Sequence, residues 1–135
     1  MRLLRHLPLF SFLLISYNIL AFFTAGETPI FERAIYDWTL ASGATIGLTV
    51  DMAIVFMGMV AFFIELLKST KTSTDAIIDH SLSTIVFIVF LLQLILVPET
   101  GTWGFLMLTV LSLMDVVAGF TVSITTARRD FSIGA

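Results

Sequence analysis

The chain has 135 residues, of which 58% are hydrophobic and 13% charged, with thirteen Phe, no Cys and a net charge of −3. A soluble domain of this size cannot bury so much apolar surface around one core, so lipid must take the excess, and the length allows a single domain over residues 1–135. The few charges form no basic stripe, which argues against a nucleic-acid partner, and the missing cysteines exclude disulfides, thiolate metal sites, iron–sulfur clusters and dithiol redox chemistry.

A helix needs about 18 or more apolar residues to cross the hydrocarbon. Four stretches approach or meet that requirement, at about 7–25, 51–67, 76–97 and 103–127. The first follows Arg2, Arg5 and His6 and precedes Glu27. It resembles a signal peptide in its basic start, but its apolar run is long and Phe23 stands where a cleavage site wants a small residue. It is therefore read as a retained helix.

The outer segment 26–50 has two readings. Trp38, Leu40, Ile46, Leu48 and Val50 alternate with Thr39, Thr45 and Thr49 around Ser42-Gly43, the period-2 pattern of a β-hairpin lying on the membrane. The competing reading is an amphipathic interfacial helix from Pro29 to Leu40, with Ile30, Phe31, Ala34, Ile35 and Trp38 opposite Glu32, Arg33 and Asp37. Either places Tyr36 and Trp38 at interface depth. The second span is short and recruits flanking turns. The polar loop from Lys68 to Asp75 ends in a capping box, Thr72 with Asp75, for the third. Pro98 closes that helix, and Gly101 with Gly104 makes the turn into the fourth.

Orientation follows from Lys and Arg in the short loops. Arg2, Arg5, Lys68, Lys71, Arg128 and Arg129 fall on one side and only Arg33 on the other. The expected architecture is an all-α integral membrane protein, a bundle of four transmembrane helices with both termini cytoplasmic and the hairpin or interfacial segment outside.

Asp115 stands near the middle of the fourth span. A carboxyl at the bilayer centre costs roughly 2.5–3.5 kcal/mol on insertion scales, so it must face the bundle and be partnered or protonated. Ser112, Gly119 and Ser123 share its face, and the small-x3-small pair Gly119/Ser123 lets a helix approach closely. Asp115 is thus either a lock between helices or a proton- or ion-handling group. Asp79 and His80 open the third span, and a path through Ser83 or Thr84 to Asp115 is geometrically allowed. The plainer reading gives Asp79 to the helix dipole and His80 to the membrane interface. Asp51, Val55, Gly58, Phe62 and Glu65 share one face of the second span, with Asp51 as a cap and Glu65 beside Lys68. Asn18 and Gln93 can bond across helices. Two histidines, His6 and His80, do not make a haem or metal site, so no cofactor is expected. Phosphate loops, H-E-x-x-H, G-x-S-x-G and paired-Asp transferase motifs are all missing, which argues against an enzyme.

The run Asp79-His80-Ser81-Leu82-Ser83-Thr84, with Asp115-Val116-Val117-Ala118-Gly119-Phe120 and Ala127-Arg128-Arg129-Asp130-Phe131, resembles small four-span inner-membrane proteins of proteobacteria that carry no assigned function. The resemblance covers the third and fourth spans and implies a bacterial inner membrane, but no activity. Small multidrug transporters differ, since their essential carboxylate lies in the first helix, where this chain has none. The function expected from the residues is that of an accessory subunit or oligomerising scaffold, partnered by other membrane proteins or by itself. The alternative is a small proton- or ion-coupled transporter or channel using Asp115.

Overall fold

The computed structural model describes residues 7–23, 29–69 and 74–133. The elements in order are α1 (Leu9–Phe23), β1 (Ala34–Thr39), β2 (Thr45–Thr49), α2 (Val50–Ser69), α3 (Thr74–Leu96) and α4 (Trp103–Ile133). Single 3-10 turns stand at Ile30–Glu32 and Pro98–Thr100. The N-terminal Arg2, Arg5 and His6, the segment around Ala25, and Lys71 with the Thr72 cap lie outside the described residues. Three helical stretches are long and apolar enough to cross a membrane: Val50–Ser69, Ile78–Leu96 and Trp103–Thr125. The described part of α1 is apolar but has 15 residues, about 22 Å of helix. The second span, expected at 51–67, has 20 residues, so its flanking turns are indeed recruited.

Between α1 and α2 the helix reading gives way to a hairpin. Only the 3-10 turn at Ile30–Glu32 is helical, and β1 pairs antiparallel with β2 in the register Tyr36↔Leu48, Trp38↔Ile46 and Thr39↔Thr45. Alternating β-branched and aromatic residues suit a strand better than a helix here. The turn is closed by the Leu40 N–H on the Ala44 carbonyl at 2.8 Å and by Gly43 at φ +85°, a conformation glycine takes without cost. Val50, expected in the strand, is the first residue of α2, and its N–H donates to the Arg33 carbonyl at 3.1 Å.

α2 and α4 run parallel, both starting at the hairpin end, and α3 runs back antiparallel along α4. α1 packs on α2 and α3. The core is a chain of rings linking four segments. Phe10 meets Phe90 at 6.4 Å, Phe90 meets Phe105 at 5.2 Å, and Tyr17 touches Phe105 at 4.9 Å and stacks on Phe31 at 4.2 Å. Such pairs add about 0.5–1.5 kcal/mol each beyond burial, and the last one ties the 3-10 turn to α1. Outside this core the fold leaves large apolar side chains uncovered, Phe56, Phe63 and Leu96 among them at 59%, 60% and 70% exposure. That excess over what a small water-soluble domain exposes follows from four helices too few to cover one another.

Glycines decide two of the helix contacts. A Cβ on Gly58 would come within 2.5 Å of Leu108 Cδ2 on α4, so α2 and α4 meet there. A Cβ on Gly119 would come within 2.5 Å of the His80 ring, so α3 and α4 meet there. Gly104, expected in the turn before α4, lies inside its first helical turn, where a Cβ would collide with the Asp51 carboxylate.

Candidate functional site: two polar junctions between the helices

The polar side chains inside the bundle gather at two levels. At the hairpin level Asp51, in the first turn of α2, points at the start of α4. One oxygen accepts from the Tyr17 hydroxyl of α1 at 2.9 Å, and the other accepts from the Gly104 N–H at 2.7 Å. Thr102 lies at 3.5 Å from the same carboxylate and also bonds the Tyr17 hydroxyl. Thr102 is itself the N-cap of α4, accepting from the Phe105 N–H at 3.1 Å. Two free donors of one helix start are thus satisfied, and a negative charge sits at the positive end of the α4 dipole. Asp51 was expected to cap its own helix. Thr49 takes that role, accepting from the Met52 N–H at 3.3 Å. The sequence reading missed Tyr17 and Thr102; the only local signal was a Thr three residues before Phe105, the spacing of an N-cap.

Toward the opposite end, Glu65 repeats the device on another helix. Its Oε1 accepts from the Leu9 N–H, the first of α1, at 2.7 Å, and Lys68 Nζ lies 3.0 Å from Oε2. Glu65 is buried although its partner Lys68 is partly exposed. The two acids of α2 therefore each bind the N-terminus of a different neighbour.

The column around Asp115 stands at the Glu65 end of the bundle. Asp115 is 7% exposed, hydrogen-bonds the Ser83 hydroxyl of α3, and lies within electrostatic range of Glu65 and Lys68. His80 is likewise 7% exposed, with Nε2 at 2.7 Å from Ser123 Oγ and its ring 5.4 Å from Phe120. The missing Cβ of Gly119 opens a slot for the imidazole between α3 and α4. Asp79 lies close enough to His80 to act on its charge. The Thr84 hydroxyl turns back to the His80 carbonyl at 2.8 Å, as that of Thr109 does to Phe105. Ser112, 2% exposed, completes the α4 face.

Gly119 and Ser123 of the α4 stripe are consequently occupied by His80 of this chain's own α3. Asn18 and Gln93 do bond across α1 and α3, Nδ2 to Oε1 at 2.9 Å. Among the described residues no buried side-chain nitrogen or oxygen lacks a hydrogen-bond partner. Nor do three His, Asp or Glu gather as a metal site among them. The 910 Å³ groove at the hairpin end is lined by residues other than Asp115, Asp79 and Glu65. The chain matches no protein-family model, and no curated protein and no solved structure is significantly similar to it.

Proposed function

We propose that this chain is a multi-pass protein of the bacterial inner membrane, crossing four times with both termini cytoplasmic, and that it serves as a non-enzymatic accessory subunit or oligomerising scaffold. α1 supports the fourth crossing: its first residue meets Glu65 and its Tyr17 meets Asp51, so it runs beside α2 over nearly the same depth. The one-sided distribution of Lys and Arg supports the orientation. The observation that carries the functional reading is the internal pairing of the buried polar side chains among the described residues, with Asp115 held by Ser83. Groups committed to locking helices are not free for chemistry. One surface left for a partner is the hairpin, where Tyr36, Trp38 and Ile46 stand on one face at 63%, 65% and 56% exposure. A two-stranded sheet with an uncovered aromatic face is marginal by itself and gains from a membrane surface or a second protein.

Solubilisation in a mild detergent followed by mass measurement tests this reading. A complex or oligomer is expected, and a bare monomer alone refutes it. The second reading, proton or ion coupling, is favoured by one observation, the gathering of Glu65, Lys68 and Asp115 within electrostatic range. Proton coupling requires a flux in liposomes that Asp115→Asn abolishes. The lock reading expects no such flux in the parent protein.

A further inference from the structure

We infer that the seam between α3 and α4 is a proton-binding site, in which Asp115 and His80 take up and release protons through the end of the bundle where Ser123 lies. Glu65, Ser69, His80, Ser83 and Asp115 are all buried in this half of the molecule, at 6–7% exposure. Gluing helices together needs only neutral groups, such as the Asn18 and Gln93 amides. Ionisable side chains inside a membrane bundle are costly, and they mark the places where protons or ions are handled.

The hydrogen-bond partners separate the buried ionisable groups into two kinds. Asp51 accepts from the Gly104 N–H at 2.7 Å, and Glu65 accepts from the Leu9 N–H at 2.7 Å and lies 3.0 Å from the Lys68 ammonium. Backbone N–H groups and ammonium ions can only donate, and each of these carboxylates stands at the positive end of a helix, so both are fixed in the charged form. Asp115 instead bonds the Ser83 hydroxyl, and His80 Nε2 lies 2.7 Å from Ser123 Oγ. A hydroxyl donates to a carboxylate or a bare ring nitrogen, and accepts from a carboxyl O–H or a ring N–H. A proton can therefore arrive or leave while each interhelical bond reverses direction and no buried atom is stranded. Locking the seam and binding protons are compatible for that reason.

The charged groups around the pair come from two helices. From α2, Glu65 acts on both Asp115 and His80, and Lys68 acts on Asp115; from α3, Asp79 acts on His80. The described part of α1 carries no Asp, Glu, Lys, Arg or His. Access is one-sided. Ser123 is half-buried and stands two residues before Thr125, where the spanning stretch of α4 ends. Toward the hairpin, Phe105 and Leu108 lie on α4 between Gly104 and Asp115, and with Phe90 they are fully buried and close the seam. The inference rests on the second reading above for the titratable role of Asp115, but it requires no flux across the membrane.

Dicyclohexylcarbodiimide, a hydrophobic reagent that adds to protonated carboxyl groups, tests the site on the full-length protein in phosphatidylcholine vesicles, with the label located by peptide mass. Asp115 should be labelled at least about tenfold more than Asp51 or Glu65, whose donors hold them charged, and its labelling should fall as the pH is raised. His6→Gln leaves His80 as the one histidine of the chain. Its ring ¹⁵N NMR signals should then move reversibly with pH while the helical circular dichroism stays constant. No label on Asp115, or equal label on Asp51 or Glu65, overturns the inference. So do His80 signals that stay fixed until the helices unfold. Labelling of Asp115 with no proton flux in liposomes keeps the site and refutes transport, whereas flux with Asp115 unlabelled refutes the site and leaves transport standing.

Discussion

The two acids of α2 occupy equivalent positions at opposite ends of one helix, yet they are supported differently. Asp51 is held by a hydroxyl, a second hydroxyl and a backbone N–H drawn from α1 and the start of α4. Glu65 is held by one backbone N–H of α1 and by a lysine three residues along its own helix. The first arrangement joins three helices through fixed neutral donors. The second joins two and adds a flexible ammonium. A carboxylate at a helix start is a general device, but its contribution depends on how many elements share it and on whether water can replace a donor.

That contrast is open to measurement. The largest effect is expected for Asp51→Ala, which strands the Tyr17 hydroxyl and the Gly104 N–H and should cost about 2–4 kcal/mol in detergent unfolding. Glu65→Ala should cost less, about 1–2 kcal/mol, because Lys68 can turn to solvent. Equal or reversed losses would break the comparison. Gly104→Ala should follow at about 1–3 kcal/mol, since the new methyl meets a carboxylate that three donors hold in place. Gly119→Ala should fall at the lower end of that range, because the His80 ring can shift, and loss of the His80–Ser123 bond would be visible in the histidine NMR signals.

Asp115→Asn keeps an acceptor for Ser83 and should change stability by less than about 1 kcal/mol, whereas Asp115→Leu leaves that hydroxyl buried and unpaired at about 1–2 kcal/mol. A large loss with Asn would mean that the charge itself, set against Lys68, holds the column. The smallest effect is expected for Asn18→Ala, which removes one amide contact to Gln93 worth roughly 0.6 and at most about 1.7 kcal/mol.

Much of the architecture was legible because its signals are local. Apolar runs between polar loops marked the three spanning stretches to within a few residues, and the alternation around Ser42-Gly43 marked the hairpin. The Asn18–Gln93 contact was legible too, since polar groups in apolar helices have few alternatives. The positions of Asp51 and His80 were not. Asp51 stands where a residue normally caps its own helix, and only the approach of α4, allowed by the bare Gly104, turns it outward. His80 stands near a helix start where solvent is the default, and only the slot at Gly119 draws it inward.

The same division holds for the small-residue stripe of α4. By itself the sequence determined that a close-packing face exists and that Asp115 lies on it, because helical periodicity is a property of one segment. Whether α3 of the same chain or a foreign helix fills that face is a matter of which surfaces meet. The tertiary structure decided it for α3 and left the hairpin and the α2–α4 groove as the surfaces still open. Periodicity identifies a face; only the arrangement of all the helices in space identifies its neighbour.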